Sequence, residues 1–446
     1  MALLNNNLKL ISKPFTITSL LLLILGMLFG LTGSLQYLLP GFLKSHLSFE
    51  KIRPMHVSSI IFWIIIGSVG AVFNYLQLHT RKNIYSPLLA KSTFVIFLSS
   101  IIFILITYCL GIFGGREYWE FSPVISLPIF IGWILFLINF IKSIDSFKNQ
   151  PVYVWMWLTG IIFFLFTFLE SYLWLFPYFR NNIVNDMTIQ WKSYGSMVGS
   201  WNMLLYGSSI YLMEKISNEK KYSSSTIAFT LYFIGLFNLM FNWGHHIYTL
   251  PTSHYIKNIS YLVSMTELLI LGRIIFYWKS TLNKNLKQIH SISYRFILSA
   301  DVWILLTLIL AIVMSVPAIN IYTHGTHITV AHTMGATIGI NSFLLLAISF
   351  DILEDAGFNL SKNKKLINTG IWITNVSLFV FWISLIIAGI IKSIWQMSSI
   401  QSPFSSMMLQ LRPFFILFFI SGVSLFSGMF LVVFPLIKCH FLSKRK

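Results

Sequence analysis

Charge is scarce in this chain: 10% of its 446 residues are Asp, Glu, Lys or Arg, and 13 are acidic. A soluble domain covers itself with about 25% charged residues. The composition therefore excludes a surface solvated mainly by water. Cysteine is nearly absent as well. Cys109 and Cys439 are too few for a disulfide framework, and no C-x-x-C-H segment exists to attach a haem covalently. Any haem here would be held by side-chain coordination alone. The chain has no soluble domain, no low-complexity tract and no repeat of about 20–50 residues. Its net charge of +18 would suit nucleic acid only if the basic residues formed one face. They sit in alternate loops instead, so no nucleic-acid partner is expected.

What the chain does have is apolar sequence, 56% of it, with a mean hydropathy of +0.76. Runs of about 20 apolar residues, each long enough to cross roughly 30 Å of hydrocarbon, recur from end to end. The first run is too long for a signal-peptide core and no small-residue cleavage site follows it, so it reads as a retained helix. Twelve spans are expected, at 15–39, 56–79, 91–113, 122–143, 151–177, 190–213, 225–249, 255–277, 294–318, 322–352, 366–393 and 411–438. The reading is an all-α integral membrane protein, one membrane domain over 1–446. Lys and Arg concentrate in the N-terminus, the even-to-odd connections and the C-terminus, which places both termini in the cytoplasm.

Several of the eleven histidines fall inside these spans, where an ionisable group is costly and is a functional hypothesis by default. His56 opens the second span, His245 and His246 sit near the end of the seventh, and His324, His327 and His332 lie early in the tenth. With the termini inside, all of them share the outer half of the bilayer. Neutral imidazole is the commonest metal and haem ligand, so histidines at one depth read as a metal layer. The bland alternative for His245-His246 is a pair of interfacial side chains reaching for the surface. His332 and Met334 are two apart on a helix and face nearly opposite sides, so each could hold a haem on its own flank. Met334 taken alone is better explained by packing or by lipid contact. Glu267 in the eighth span returns to the depth of the histidine pair as a metal ligand or proton donor. For Glu170 a hydrogen bond within the bundle competes with a proton route.

These residues resemble the large subunit of cytochrome-c-dependent nitric oxide reductases, within the haem–copper oxidase superfamily. The densest match is Tyr322-Thr323-His324-Gly325-Thr326-His327-Ile328-Thr329-Val330-Ala331-His332, against the family pattern Y-T-H-G-T-Q-x-T-x-x-H-G-H. Gly114-Gly115-Arg116-Glu117-Tyr118-Trp119-Glu120 is similar to the family's G-R-E-Y-x-E loop, Gly244-His245-His246 to its G-H-H, and Arg53-Pro54-Met55-His56 to the segment with a low-spin haem ligand.

The resemblance implies a twelve-helix bundle of the haem–copper oxidase subunit I type with two b-type haems and a non-haem iron. It assigns His332 to the high-spin haem, His56 to the low-spin haem, and His245, His246 and Glu267 to the iron. Glu117 and Glu120 would support calcium or the haem propionates. Two positions depart from the pattern. Met334 stands where the family has the second low-spin ligand, and Tyr194 stands where it has a third iron histidine. Tyr194, or Asn202 on the same helical face, would substitute there, or the site would keep three ligands and water. A carboxylate-rich, histidine-poor site suits iron better than copper. The implied reaction is reduction of two NO to N2O and water in a bacterial inner membrane. Electrons would come from a cytochrome c-type subunit or a soluble cytochrome. The rivals are a non-pumping terminal oxygen reductase of the same superfamily and a non-catalytic dihaem electron-transfer subunit.

Overall fold

A computed structural model describes residues 11–264, 266–398 and 402–443. Among the described residues, eleven helical segments are long and apolar enough to cross a membrane. The helix Ile183–Ser217 is a twelfth, 35 residues long but richer in Ser, Gly and Asn. Its polar side chains are turned inward, with Ser193, Ser200 and Ser208 fully buried. That is why it can sit in the bundle without matching the hydropathy of its neighbours.

Burial separates centre from periphery. The most apolar windows of the second helix (Phe49–Thr80) and of the His327–Asp355 segment are each 83% buried inside the protein, against 33% for the third helix (Pro87–Cys109). The two central segments carry His56 and His332. The first helix (Ser12–Leu38) packs on the second, the fifth (Val152–Glu170) on the Ile183–Ser217 helix, and the last two long helices on each other. Exposed Leu, Ile, Val and Phe side chains stud the outer helices, as a lipid-solvated surface requires.

Three expected spans are broken. In the seventh, α-helix ends at Phe241 and a 3₁₀ segment, Asn242–Ile247, carries the histidine pair. The eighth divides into His254–Val263 and Thr266–Thr281, which moves Glu267 from mid-helix to a first turn. The tenth, expected as one helix over 322–352, begins later. Gly325, at φ +70°, turns the chain after Pro317–Thr323, and Thr326 caps the next helix by accepting from the Ile328 N–H at 3.3 Å. After Met334 that helix widens into a π segment, Gly335–Ser342, before resuming as Phe343–Asp355. The Ser342 hydroxyl donates to the Thr337 carbonyl five residues back, at 2.8 Å.

Toward the other end of the bundle from these breaks lies a buried ion cluster. Lys215 donates to Asp351 at 2.8 Å and to Asp355 at 2.6 Å, and the Tyr75 hydroxyl donates to Asp351 at 2.9 Å. The cluster ties the second helix, the Ile183–Ser217 helix and the Phe343–Asp355 helix together. Removing one partner of such a buried pair leaves an uncompensated charge, at a cost on the order of 3 kcal/mol. Lys215→Met is therefore expected to lower the thermal unfolding midpoint of the detergent-solubilised protein. An unchanged midpoint would show that the cluster holds nothing together.

Candidate haem and metal cavity

The breaks surround a cavity of about 280 Å³ between the second helix, the Ile183–Ser217 helix, the 3₁₀ segment and the His327–Met334 helix. His56, His332 and Met334 line its wall, and so do His245, His246 and Glu267, which come from broken spans. Tyr194 and Asn202 complete the set from the Ile183–Ser217 helix. Each residue expected to hold a haem or the iron thus borders one space. His324 and His327 do not. His327 packs its ring on Phe415, centroids 5.2 Å apart.

Why these side chains present as they do follows from their neighbours. His56 Nδ1 donates to the Gly26 carbonyl at 2.7 Å, since a carbonyl can only accept. The lone pair is thereby left on Nε2. His245 is set in the same way, its Nδ1 donating to Asn242 Oδ1 at 2.9 Å. His246 lies nearly parallel to Trp191, ring centroids 4.6 Å apart. The Ile183–Ser217 helix comes this close because Gly195 has no side chain: a Cβ there would stand 2.7 Å from Trp243 Cβ.

The donor chemistry fits the groups the resemblance implies. Two histidines on separate helices and one methionine thioether are accepted haem ligands. His332 keeps a buried Nδ1 with no hydrogen-bond partner among the described residues. Two imidazoles and a carboxylate suit a divalent metal, and Glu267, buried, has an oxygen, Oε2, likewise without a partner. Among the described residues, however, no three His, Cys, Asp or Glu side chains form a closed metal-holding group. The set is an open one, a histidine pair with a carboxylate bordering the same cavity. Of the two candidate replacements for a third histidine, Asn202 has its amide oxygen engaged, accepting from Asn341 Nδ2 at 3.0 Å. Tyr194 meets Tyr118 edge-on, centroids 5.6 Å apart.

Above His56 the loop Gly114–Glu120 folds back on itself, Arg116 bridging to Trp119. Only glycine serves at position 115, where a Cβ would lie 1.8 Å from the Trp119 carbonyl oxygen. Glu117 and Glu120, the acids that the resemblance sets near calcium or the propionates, both pair with a guanidinium. Arg53 donates to Glu117 at 2.5 Å and to Glu120 at 3.0 Å. Burial still raises the Glu120 carboxyl above its ordinary range, with Arg53 opposing. Burial, seconded by Glu117, pushes the Tyr118 phenol up to about 12. Glu170 pairs with Lys192, which bears on the hydrogen-bond reading of that residue.

Residues the sequence did not single out are Trp191, Asn242 and Asn341. The first two touch the histidine pair. A tryptophan on a bundle helix and an asparagine before a Trp-Gly pair carry no signal of their own.

Residues 10–424 match the family described as cytochrome c and quinol oxidase polypeptide I. The chain is 22% identical to a subunit of the nitric oxide reductase of Stutzerimonas stutzeri, covering 94% of this chain and 92% of that one. It is 21% identical to a cbb3-type cytochrome c oxidase subunit of the same organism, over 95% and 93%. A cytochrome c oxidase subunit 1 homologue of Agrobacterium tumefaciens is also 21% identical, over 91% and 78%. Among solved structures, a chain of a haem–copper terminal oxidase dimer superposes with a TM-score of 0.72 at 14% identity, over 96% of this chain and 84% of that one. The likeness confirms the fold. The chain belongs to the cytochrome c and quinol oxidase polypeptide I family, multi-pass membrane oxidoreductases of the haem–copper type.

Proposed function

We propose that this chain is the catalytic subunit of a nitric oxide reductase in a bacterial inner membrane, converting two NO, two electrons and two protons into N2O and water. The observation that carries the reading is the donor set: two imidazoles and a buried carboxylate, with tyrosine in place of a third imidazole. Copper is best served by nitrogen ligands, whereas iron accepts oxygen donors readily. A cytochrome c-type subunit or a soluble cytochrome would supply the electrons, because the chain has no covalent haem site of its own.

His56 and Met334 would hold the low-spin haem, His332 the high-spin haem, and His245, His246 and Glu267 the non-haem iron. When bound, these groups supply single-electron transfer and a place for two NO molecules to meet. The protein's part is to keep the donors aimed. Gly26 and Asn242 fix the tautomers of His56 and His245. Glu267 has one carboxylate oxygen without a partner, which can hold a proton beside the reacting molecules. Because the Asn202 oxygen is already engaged, Tyr194 is the residue we assign to the missing ligand position.

The open donor set also supports a second reading, an electron-transfer subunit with two haems and no third metal. Haem and metal analysis run with NO and oxygen consumption separates the possibilities. Two haems, one non-haem iron and N2O production support the reductase. Copper with oxygen uptake makes the protein an oxidase, and two haems with no turnover of either gas leaves the electron-transfer role.

Glu267→Gln is expected to lower NO turnover by about 100-fold, the scale of losing a positioned proton-transfer group, with both haems retained. Wild-type turnover would remove Glu267 from the chemistry. Met334→His should lower the potential of the low-spin haem, since methionine ligation raises it. A redox titration that does not move would show that Met334 is not an axial ligand.

A further inference from the structure

The histidine pair sits on a 3₁₀ segment, where successive residues point about 120° apart. Side chains on such a turn diverge unless something gathers them. Here the two rings lie with centroids 4.1 Å apart, tilted by 46°. His246 in turn lies against Trp191 at 4.6 Å and 14°. The three rings form a column, Trp191 on His246 on His245. One end is closed by the indole and the other by the hydrogen bond from His245 Nδ1 to Asn242.

We infer that Trp191 is a positioning residue for the metal site, a flat plate from the Ile183–Ser217 helix that sets the plane of the His246 ring. The inference rests on reading His245 and His246 as metal ligands. Three observations carry it. Trp191 lies one helical turn before Tyr194, and both side chains border the cavity from one face. The plate cannot drift from the pair, because Gly195 brings the helix backbone against Trp243 and Gly199 does the same at Leu239, where a Cβ would stand 2.9 Å from Leu239 Cα. Finally, the two imidazoles have different restraints. His245 has a hydrogen bond that fixes its tautomer and ring direction, whereas the restraint on His246 is a stacked face. An aromatic face sets a ring plane without occupying either imidazole nitrogen, so both His246 nitrogens stay open to a metal or a proton. At the position where a third imidazole is missing, the helix thus contributes orientation one turn away.

The test is metal affinity and spectroscopy on the intact purified protein, with Trp191→Phe, Trp191→Leu and Trp191→Ala beside wild type. Phenylalanine keeps a flat face; leucine keeps bulk without one. Haem content and the thermal midpoint report whether each variant folds. The expected result is that Trp191→Leu and Trp191→Ala bind iron about 10- to 100-fold more weakly, the usual cost of losing an outer-shell partner. Both should broaden the electron paramagnetic resonance signal of the non-haem site, with haem content unchanged. Trp191→Phe should stay close to wild type in both readouts. If all variants hold the metal at wild-type affinity and lineshape, or if leucine performs as well as phenylalanine, the inference is overturned and the site reading stands. If wild type binds no non-haem metal, the site reading fails and takes this inference with it.

Discussion

In a chain solvated by lipid, every backbone N–H and C=O must find a partner inside the protein. A departure from α-helix is tolerated only where protein or a cavity surrounds it. The described residues show three such departures within predicted spans: the 3₁₀ segment Asn242–Ile247, the helix end at Val263 with Ser264 beyond it, and the π segment Gly335–Ser342. The 3₁₀ and π segments contribute residues to one cavity, and Glu267, at the start of the helix after the second departure, borders it too. The breaks are useful as well as tolerated. A straight helix would carry Glu267 through mid-span rather than at a helix start, where the exposed N–H groups favour a carboxylate. On the 3₁₀ segment, where neighbours point about 120° apart, Trp191 and Asn242 gather the two histidine rings.

The ends of the bundle are held by charge. Near the cavity, Arg53 sits one turn before His56 and spreads its two nitrogens between Glu117 and Glu120. The folded-back loop is thereby fixed to the helix that carries the histidine. A planar guanidinium suits this task, since it can serve two carboxylates in fixed directions. At the far end Lys215 gathers Asp351, Asp355 and, through Asp351, Tyr75. The helix with Lys215 also carries Trp191 and Tyr194, and the one with Asp351 continues from His332 and Met334. Lipid offers helices little hydrophobic reason to keep a register along their axes. Ion pairs between specific turns provide that register, and an error of one turn, about 5.4 Å, would carry a ligand out of the cavity.

Much of this was legible in the sequence, and the reason is energetic. An apolar run of bilayer length has few alternatives to a helix, so the spans followed from hydropathy. Histidines inside apolar runs are costly enough to stand out, and four of the six singled out, His56, His245, His246 and His332, border the cavity. The breaks were not legible. Ser264 and Thr266 are ordinary helix residues within a membrane, and a π turn after Met334 leaves the local composition unchanged. Nor could the partners of Arg53 or Lys215 be read, because they are 64 to 140 residues away and no local pattern links them. Trp191 was invisible for a different reason: among 14 tryptophans in an aromatic-rich chain, one more on a helix face looks like packing.

The proposed substitution of Tyr194 for an imidazole is better understood with the whole wall in view. Removing a nitrogen donor from a metal site normally weakens it, unless the remaining donors are held more firmly. Here the wall shows that restraint: Asn242 fixes His245, Trp191 stacks on His246, and Gly195 and Gly199 let the Ile183–Ser217 helix press against the segment that carries both. The Asn202 oxygen, accepting from Asn341 Nδ2, ties that helix to the π segment. On the proposed reading the helix therefore acts on the site by shape and orientation as well as through Tyr194. A site built this way depends on the stiffness of its surroundings. Mutations in the aromatic column and the glycine contacts should then disturb it as much as changes to the donors themselves.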